Sequence, residues 1–554
     1  MDPGTIADLV RRQWGDQRPG LKYRDQLLTH HQMAAGAAAR AALLRELLPP
    51  GAEPHVGVLL DNVPEYPLWL SAAALAGAAV AGINPTRRGA ELVRDIRHTE
   101  CAFLVTERRH LPLLPHPAGL PLLVVDDPSY AALLAPYEGA APGDADARVG
   151  RGTRLLLYFT SGSTGAPKAV ICSQGRLANA GRSLADTFGT GPDDTHYLCM
   201  PFFHGNAVMA GWAPALVGGA AVALSRTFSA SGFLPDVRAY GATYFTYVGR
   251  AVQYLLATPE HPGDGDHPLR HGFGTEAGPV DAARFAKRFG VPLTEGYGSS
   301  EGGAALQRPA DAPPGATGRG APGTDLAVVD RSSCEELPRG RLDGTGRLVN
   351  GDEAIGELVN RAPNPFEGYW KNQAADTERT RRGWFWSGDL FFRDQDGWFH
   401  FAGRAEDRLR VDGENLAAAV VEEILARFPD AVAAAVQAVP DPVSGDQVMA
   451  ALALREGAGF DPDAFAAFLA GQPDLGAKMA PRFVRIVTSM PVTATNKVHR
   501  ARLRREGFRC ADPVWWSPPG AGRCGAAYQP LTADDLAALL AAYRDHGREA
   551  LLDH

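Results

Sequence analysis

Residues 158–170, YFTSGSTGAPKAV, carry the densest run of potential chemistry in the sequence. An apolar run at 155–158 leads into Thr160, Ser161, Gly162, Ser163, Thr164 and Gly165, followed by Pro167 and Lys168. Small residues let a backbone approach an anion closely, and successive N–H groups can form a nest for it. The hydroxyls add donors and Lys168 adds charge. The string reads as a phosphate cradle, although the GxxxxGK[ST] spacing of a Walker loop is missing. Other candidates are more scattered. Taken singly, Glu301 or Lys497 would be a solvated surface charge, Asp389 beside Gly388 a turn residue, and His204 a structural histidine. Only their order along the chain sets these bland readings aside.

The elements that must position these residues belong to a long chain. At 554 residues it exceeds what one core usually supports, so at least two domains are expected. Acidic residues outnumber basic ones, 63 against 55, for a net charge of −8, which gives no bulk electrostatic case for nucleic acid. The cysteines, Cys101, Cys172, Cys199, Cys334, Cys510 and Cys524, form no CxxC pair or zinc spacing. They read as incidental thiols of a reducing cytosol. The start, MDPGTIADLVRRQW, has no signal-like apolar run. The most apolar stretch, 69–83, is too short to span a bilayer and reads as a buried helix.

An Ala-rich helix is expected over 24–48. Apolar runs at 55–60, 102–106 and 121–125 alternate with helical patterns at 73–81 and 90–98, as in α/β layers. Residues 142–152 read as a loop, and 368–403 as short strands and turns. Beyond 403 the pattern changes: helix 418–428, strand 432–439, helix 462–470 and strand 483–487 suggest a small α+β domain. A final helix begins at Thr532, with Asp535 three residues on.

The run from Thr160 to Gly165 with Pro167-Lys168 resembles the phosphate-binding signature of the adenylate-forming superfamily of acyl-CoA synthetases, adenylation domains and luciferases. Six further motifs follow in family order over roughly 340 residues. They are Pro201-Phe202-Phe203-His204, Tyr297-Gly298-Ser299-Ser300-Glu301, GELVNRAPNPFEGYW at 356–370, Ser387-Gly388-Asp389, the stretch from Gly403-Arg404 to Glu422, and Thr495-Asn496-Lys497. Tyr247-Val248-Gly249-Arg250, Gly413-Glu414-Asn415 and Tyr528-Gln529-Pro530-Leu531-Thr532 are similar to the fatty-acid-transport-protein and very-long-chain acyl-CoA synthetase branch. Ala169, Glu406, Arg410 and Asn496 depart from the usual residues; an Arg for Lys at 410 is not a neutral exchange.

The resemblance implies roles. Thr160–Gly165 and Lys168 hold phosphate, Tyr297 and Gly298 flank adenine, and Ser300 donates to the α-phosphate. Glu301 ligates Mg²⁺, a hard cation that prefers oxygen. Asp389, an acceptor-only carboxylate, takes the ribose hydroxyls, with Arg404 as a forked donor nearby. His204 gates the acyl pocket, Arg410 and Gly413 belong to the CoA loop, and Lys497 neutralises charge as the acid attacks phosphorus. The implied fold is α/β, with a large N-terminal domain (1–403), a hinge at 404–406 and a smaller, mobile α+β C-terminal domain (407–554). The implied reaction joins a carboxylic acid to CoA through an acyl-adenylate, using ATP and Mg²⁺. A cytoplasmic enzyme with no transmembrane segment and no nucleic-acid partner is expected, and a homodimer is left open. Three alternatives also stay open: loading of a carrier protein, thioester formation from a preformed adenylate, and a non-enzymatic nucleotide-binding module. Phe202, Phe203, Val208, Phe228, Phe233, Tyr244, Phe245 and Tyr247, with no acid before Asp236, suggest a bulky or long apolar substrate and not an amino acid, whose ammonium would be costly to bury.

Overall fold

The computed structural model describes residues 4–553 except 115–119, 144–148, 161–167, 276, 278, 310, 314, 322, 345, 347, 405–407, 412–413, 444–445, 473–474, 476–477, 494–496, 519–526 and 547. The chain divides into two compact units. One comprises residues 1–305 and 364–381, the other residues 306–363 and 382–554.

Two largely parallel sheets build the first unit. The six-stranded sheet runs in the order Leu122–Val124, Phe103–Thr106, His55–Leu59, Ala79–Gly82, Arg154–Thr160, Lys168–Ser173. Only its last pair is antiparallel. The seven-stranded sheet runs Leu293–Glu295, His271–Thr275, Tyr244–Val248, Thr195–Leu198, Ala221–Leu224, Pro19–Tyr23, Gln26–Thr29. Its central strands are buried at every residue, as parallel strands covered on both faces must be. Their continuous apolar runs follow from that double coverage.

Two helical expectations need correcting. Residues 69–83 are not one helix. Helix Glu65–Ala76 stops at Gly77, whose φ of 69° is a left-handed cap, and the chain turns into strand Ala79–Gly82. The Ala-rich helix spans His30–Leu47, started by a capping box at Thr29. Residues just before it form a hairpin, Pro19–Tyr23 with Gln26–Thr29.

The second unit holds a four-stranded antiparallel sheet, Leu326–Val329, Gly356–Asn360, Phe385–Arg393, Phe399–Arg404. A two-stranded hairpin, Arg408–Val411 with Glu414–Ala417, follows. A five-stranded sheet then runs Ala431–Pro440, Asp446–Leu454, Phe483–Val487, Val514–Trp516, Gln529–Pro530. One core takes in Val436, Val448, Ala450 and Leu452 with helices Ala418–Leu425 and Pro462–Ala470. Another takes in Val439, Met449 and Phe483 with Tyr543 of helix Ala533–Asp545. Alternation along a strand sends neighbouring residues to opposite faces, so this sheet is packed on both sides. The Thr532–Asp535 capping box forms as expected. Among the described residues no helix is long and apolar enough to cross a membrane.

Candidate active site

In parallel α/β sheets, ligands collect at the carboxyl ends of the strands. Three of the first unit's motifs emerge there. Arg154–Thr160 runs into the phosphate motif, Thr195–Leu198 into Pro201–His204, and Leu293–Glu295 into Tyr297–Glu301. The body of the phosphate motif, Ser161, Gly162, Ser163, Thr164 and Gly165, lies outside the described residues. Thr160 ends one strand and Lys168 opens the next, paired with it in register. Ala169, the departure beside this loop, is fully buried in a core cluster with Phe159, Ile83 and Trp370, so its methyl is absorbed by the core.

Glu301 is the best-defined acid here. It is buried, and its Oε1 accepts a 2.7 Å hydrogen bond from the Tyr369 hydroxyl. Arg379 Nη2 lies 3.8 Å from the same oxygen, and Arg379 Nε donates to the Tyr369 hydroxyl at 3.1 Å. Burial works against the charged carboxylate. The Arg379 charge and the Tyr369 hydrogen bond outweigh it and hold the carboxyl below its ordinary range. An ionised oxygen ligand inside the fold suits a hard divalent cation.

The segment 364–381 supplies these partners. Its Trp370 N–H donates to Ala169 O at 2.8 Å, and Ile171 N–H donates to Gly368 O at 3.0 Å. That pairing lays Tyr369 against the strand that starts at Lys168. Lys168 Nζ itself sits 3.7 Å from Glu378 Oε2. Below the 299–301 turn, Arg176 donates to the carbonyl oxygens of Ile171, at 2.8 Å, and Ser300. A Cβ on Gly302, which has φ of 69°, would fall 2.6 Å from Arg176 Nη2, and one on Gly205 would fall 3.2 Å from Ser300 Oγ. Gly205, next to His204, is therefore closely packed against the 299–301 turn. Tyr297, Ser300 and His204 are half-buried and Gly298 is exposed.

Sequence reasoning missed Arg176, Glu378 and Arg379, and gave Tyr369 no role of its own. No motif flags the arginines. Tyr369 lies in the recognised GYW string, which was its only signal.

The apolar-pocket reading changes in detail. Phe245 packs 5.1 Å from Phe233 and 5.8 Å from Phe285, and all three are buried. Phe233 and Phe245 are thus core beneath the sheet, not pocket lining. Asp236 accepts from the Tyr197 hydroxyl at 2.7 Å.

In the second unit, Asp389 and Arg404 are register partners on adjacent antiparallel strands. Gly388, with φ of 75°, donates its N–H to Glu357 Oε1 at 2.9 Å. Asp389 N–H donates to Ser387 Oγ at 3.1 Å. Lys497 is half-buried beside the Val492–Val498 bridge, with Thr493 N–H donating to Lys497 O at 2.6 Å. Thr495, Asn496, Glu406 and Gly413 lie outside the described residues. Arg410 sits in the hairpin opposite Asn415.

One cluster elsewhere has the composition of a metal site: Asp61, Glu107 and His110. Arginines already fill it. Arg226 Nη1 is 3.0 Å from Asp61 and 2.7 Å from Glu107, and Arg109 is 2.8 Å from Asp61. It is an ion-pair network.

Two largely parallel sheets in one unit, with a second unit bearing Asp389 and Lys497, are the architecture of an adenylate-forming enzyme. The chain belongs to that family. Residues 10–370 match the AMP-binding enzymes, and residues 420–497 match the AMP-binding enzyme C-terminal domain. It is an ATP-dependent acid–thiol ligase, an acyl-CoA synthetase. A steroid-22-oyl-CoA synthetase of Rhodococcus jostii is 50% identical over 557 residues, 99% of each chain. A medium/long-chain-fatty-acid–CoA ligase of Mycobacterium tuberculosis is 46% identical over 501 residues, covering 90% of this chain and 95% of the relative. The ATP-bound structure of MatB from Rhodopseudomonas palustris superposes with a TM-score of 0.78 at 23% identity, covering 90% and 98% of the two chains. At that identity it speaks for the fold alone.

Proposed function

We propose that this enzyme activates a bulky, largely apolar carboxylic acid of steroid or long-chain type and transfers it to CoA. The observation that carries this reading is the 50% identity, over nearly the whole of both chains, to an enzyme named for a steroid acyl group. The buried aromatics near the gate, two of which belong to the core, no longer carry it alone. The acid's carboxylate attacks the α-phosphorus of ATP and expels pyrophosphate. The CoA thiol then displaces AMP, a far better leaving group than hydroxide.

In this reading Thr160, Ser161, Gly162, Ser163, Thr164, Gly165 and Lys168 hold the phosphates, with Tyr297 and Gly298 at the adenine and Ser300 at the α-phosphate. Glu301 holds Mg²⁺, and Asp389 with Arg404 takes the ribose. His204 gates the acyl site, Arg410 and Gly413 serve CoA, and Lys497 supplies charge only during adenylation. The C-terminal domain, from about 407, swings about 404–406 between the two steps. A cytoplasmic location and a homodimer complete the proposal.

The test is turnover on acetate, an α-amino acid, a long-chain fatty acid and a polycyclic acid, with CoA and with a carrier protein as acceptor. Preference for a polycyclic or long-chain acid with CoA is expected. Preference for acetate, the amino acid or the carrier protein would overturn the reading. Lys497→Ala should lower adenylation about 10²-fold or more and spare thioester formation from a supplied acyl-adenylate. Equal damage to both half-reactions would remove Lys497 from that role.

A further inference from the structure

We propose that His196 and Tyr244 are positioning residues that set acyl selectivity by supporting a π-helical turn directly behind the gate. The proposal rests on the reading that the acyl group lies beside His204.

Residues Asn206–Trp212 form a π-helix, and the Ala213 N–H reaches back five residues to the Val208 carbonyl. Pro214 supplies a cause. It has no N–H, and in an α-helix its ring would clash with the carbonyl four residues earlier, that of Ala210. The wider turn relieves the clash but leaves the Ala210 carbonyl without its α-helical donor. The Tyr244 hydroxyl donates to that carbonyl at 2.8 Å. The next carbonyl, Gly211 O, lies 3.0 Å from His196 Nδ1. A carbonyl can only accept, so Nδ1 carries the proton and Nε2 faces Thr190 Oγ1 at 3.4 Å as an acceptor.

The two supports form one unit. His196 and Tyr244 are register partners on adjacent parallel strands, and their rings stack 4.2 Å apart. Both are buried, at 1% and 2% exposure. Burial pushes the imidazole down to about 4, so His196 stays a neutral donor across the physiological range. π turns recur at functional sites. This one begins two residues after His204, and its Asn206 donates to Tyr247 O at 3.2 Å. The width of the turn therefore sets where the gate and Asn206 stand. Neither support belongs to a recognised motif.

The test uses Tyr244→Phe, Pro214→Ala and the double variant, in the full chain. Tyr244→Phe should change the ratio of kcat/KM for a polycyclic acid over a straight-chain acid by about fivefold or more, the scale of one hydrogen bond. The KM for ATP should stay unchanged. Pro214→Ala restores a backbone donor to the Ala210 carbonyl. The Tm loss caused by Tyr244→Phe should therefore shrink by more than half in that background. Equal Tm losses in both backgrounds, or a uniform fall for both acids with a raised KM for ATP, would overturn the proposal. Wild-type protein that turns over no apolar acid would overturn the acyl reading and the selectivity claim with it. A non-additive thermal cycle in that same protein would place the fault in the acyl reading, not in the support.

Discussion

Glu301 and Asp95 are both buried carboxyls, and their surroundings push them in opposite directions. Glu301 has the Tyr369 hydroxyl and Arg379, and stays ionised below its ordinary range. If it holds Mg²⁺, Glu301→Gln should raise the Mg²⁺ concentration needed for half-maximal ATP–pyrophosphate exchange, because a neutral amide is a weaker ligand for a hard cation. An unchanged Mg²⁺ requirement would remove the metal role. Asp95, 1% exposed, has no hydrogen bond to either oxygen, although Arg87 Nε lies 3.0 Å away. Burial raises it to about 6, against the pull of Arg87 and Arg94. A folded-state value above the unfolded one means that the native protein binds the extra proton. This group's contribution is therefore most favourable below about 4 and is lost as pH rises through 6. Asp95→Asn should leave stability near pH 4 almost unchanged and raise it at pH 8 by about 1–3 kcal/mol. Thermal melts across that range decide it. A gain independent of pH would contradict the assignment. The chemical type of Glu301 was legible in the YGSSE string. The burial that separates it from Asp95 was not, because it depends on side chains distant in sequence.

At the scale of elements, Arg500 ties the Lys497 segment to its surroundings. Its guanidinium donates to Glu422 Oε1 at 2.6 Å and Oε2 at 2.8 Å, and to Val436 O at 3.1 Å. Glu422 Oε1 also accepts the Val436 N–H at 2.6 Å. Helix Ala418–Leu425, strand Ala431–Pro440 and helix Arg500–Glu506 meet at this pair. Arg500→Ala should cost about 1–3 kcal/mol, since it leaves a charged acceptor short of partners. It should also slow adenylation more than thioester formation from a supplied adenylate, because Lys497 stands three residues away. Equal slowing of both would show that the pair serves folding alone. Elements with a single strong period or cap were legible: helix Gly89–His98, strand Phe483–Val487 and the Thr532 cap all stand where the pattern puts them. The 69–83 run was misread because Ala- and Gly-rich apolar residues suit a buried helix and a doubly covered strand equally. The left-handed Gly77 that divides them is visible only in the backbone.

For the molecule as a whole, the proposed alternation between two half-reactions predicts a separable defect. Glu406→Pro fixes φ near −65° and restricts Ala405 before it. Adenylation should survive while the CoA step fails, as read by pyrophosphate exchange against CoA-ester formation. Normal overall turnover would place the hinge elsewhere. The sequence by itself determined the family, the two-part α/β organisation and the chemical type of most candidate site residues, because short motifs of fixed order persist wherever phosphate, ribose and metal must meet particular groups. Tertiary structure alone decided that Tyr369 and Arg379 keep Glu301 charged, that Arg176 braces the Ser300 turn, that Phe233 and Phe245 are core, and that His196 and Tyr244 complete a π turn opened by Pro214. Each of these depends on contacts between residues far apart in the chain, whose distances and burial no local pattern encodes.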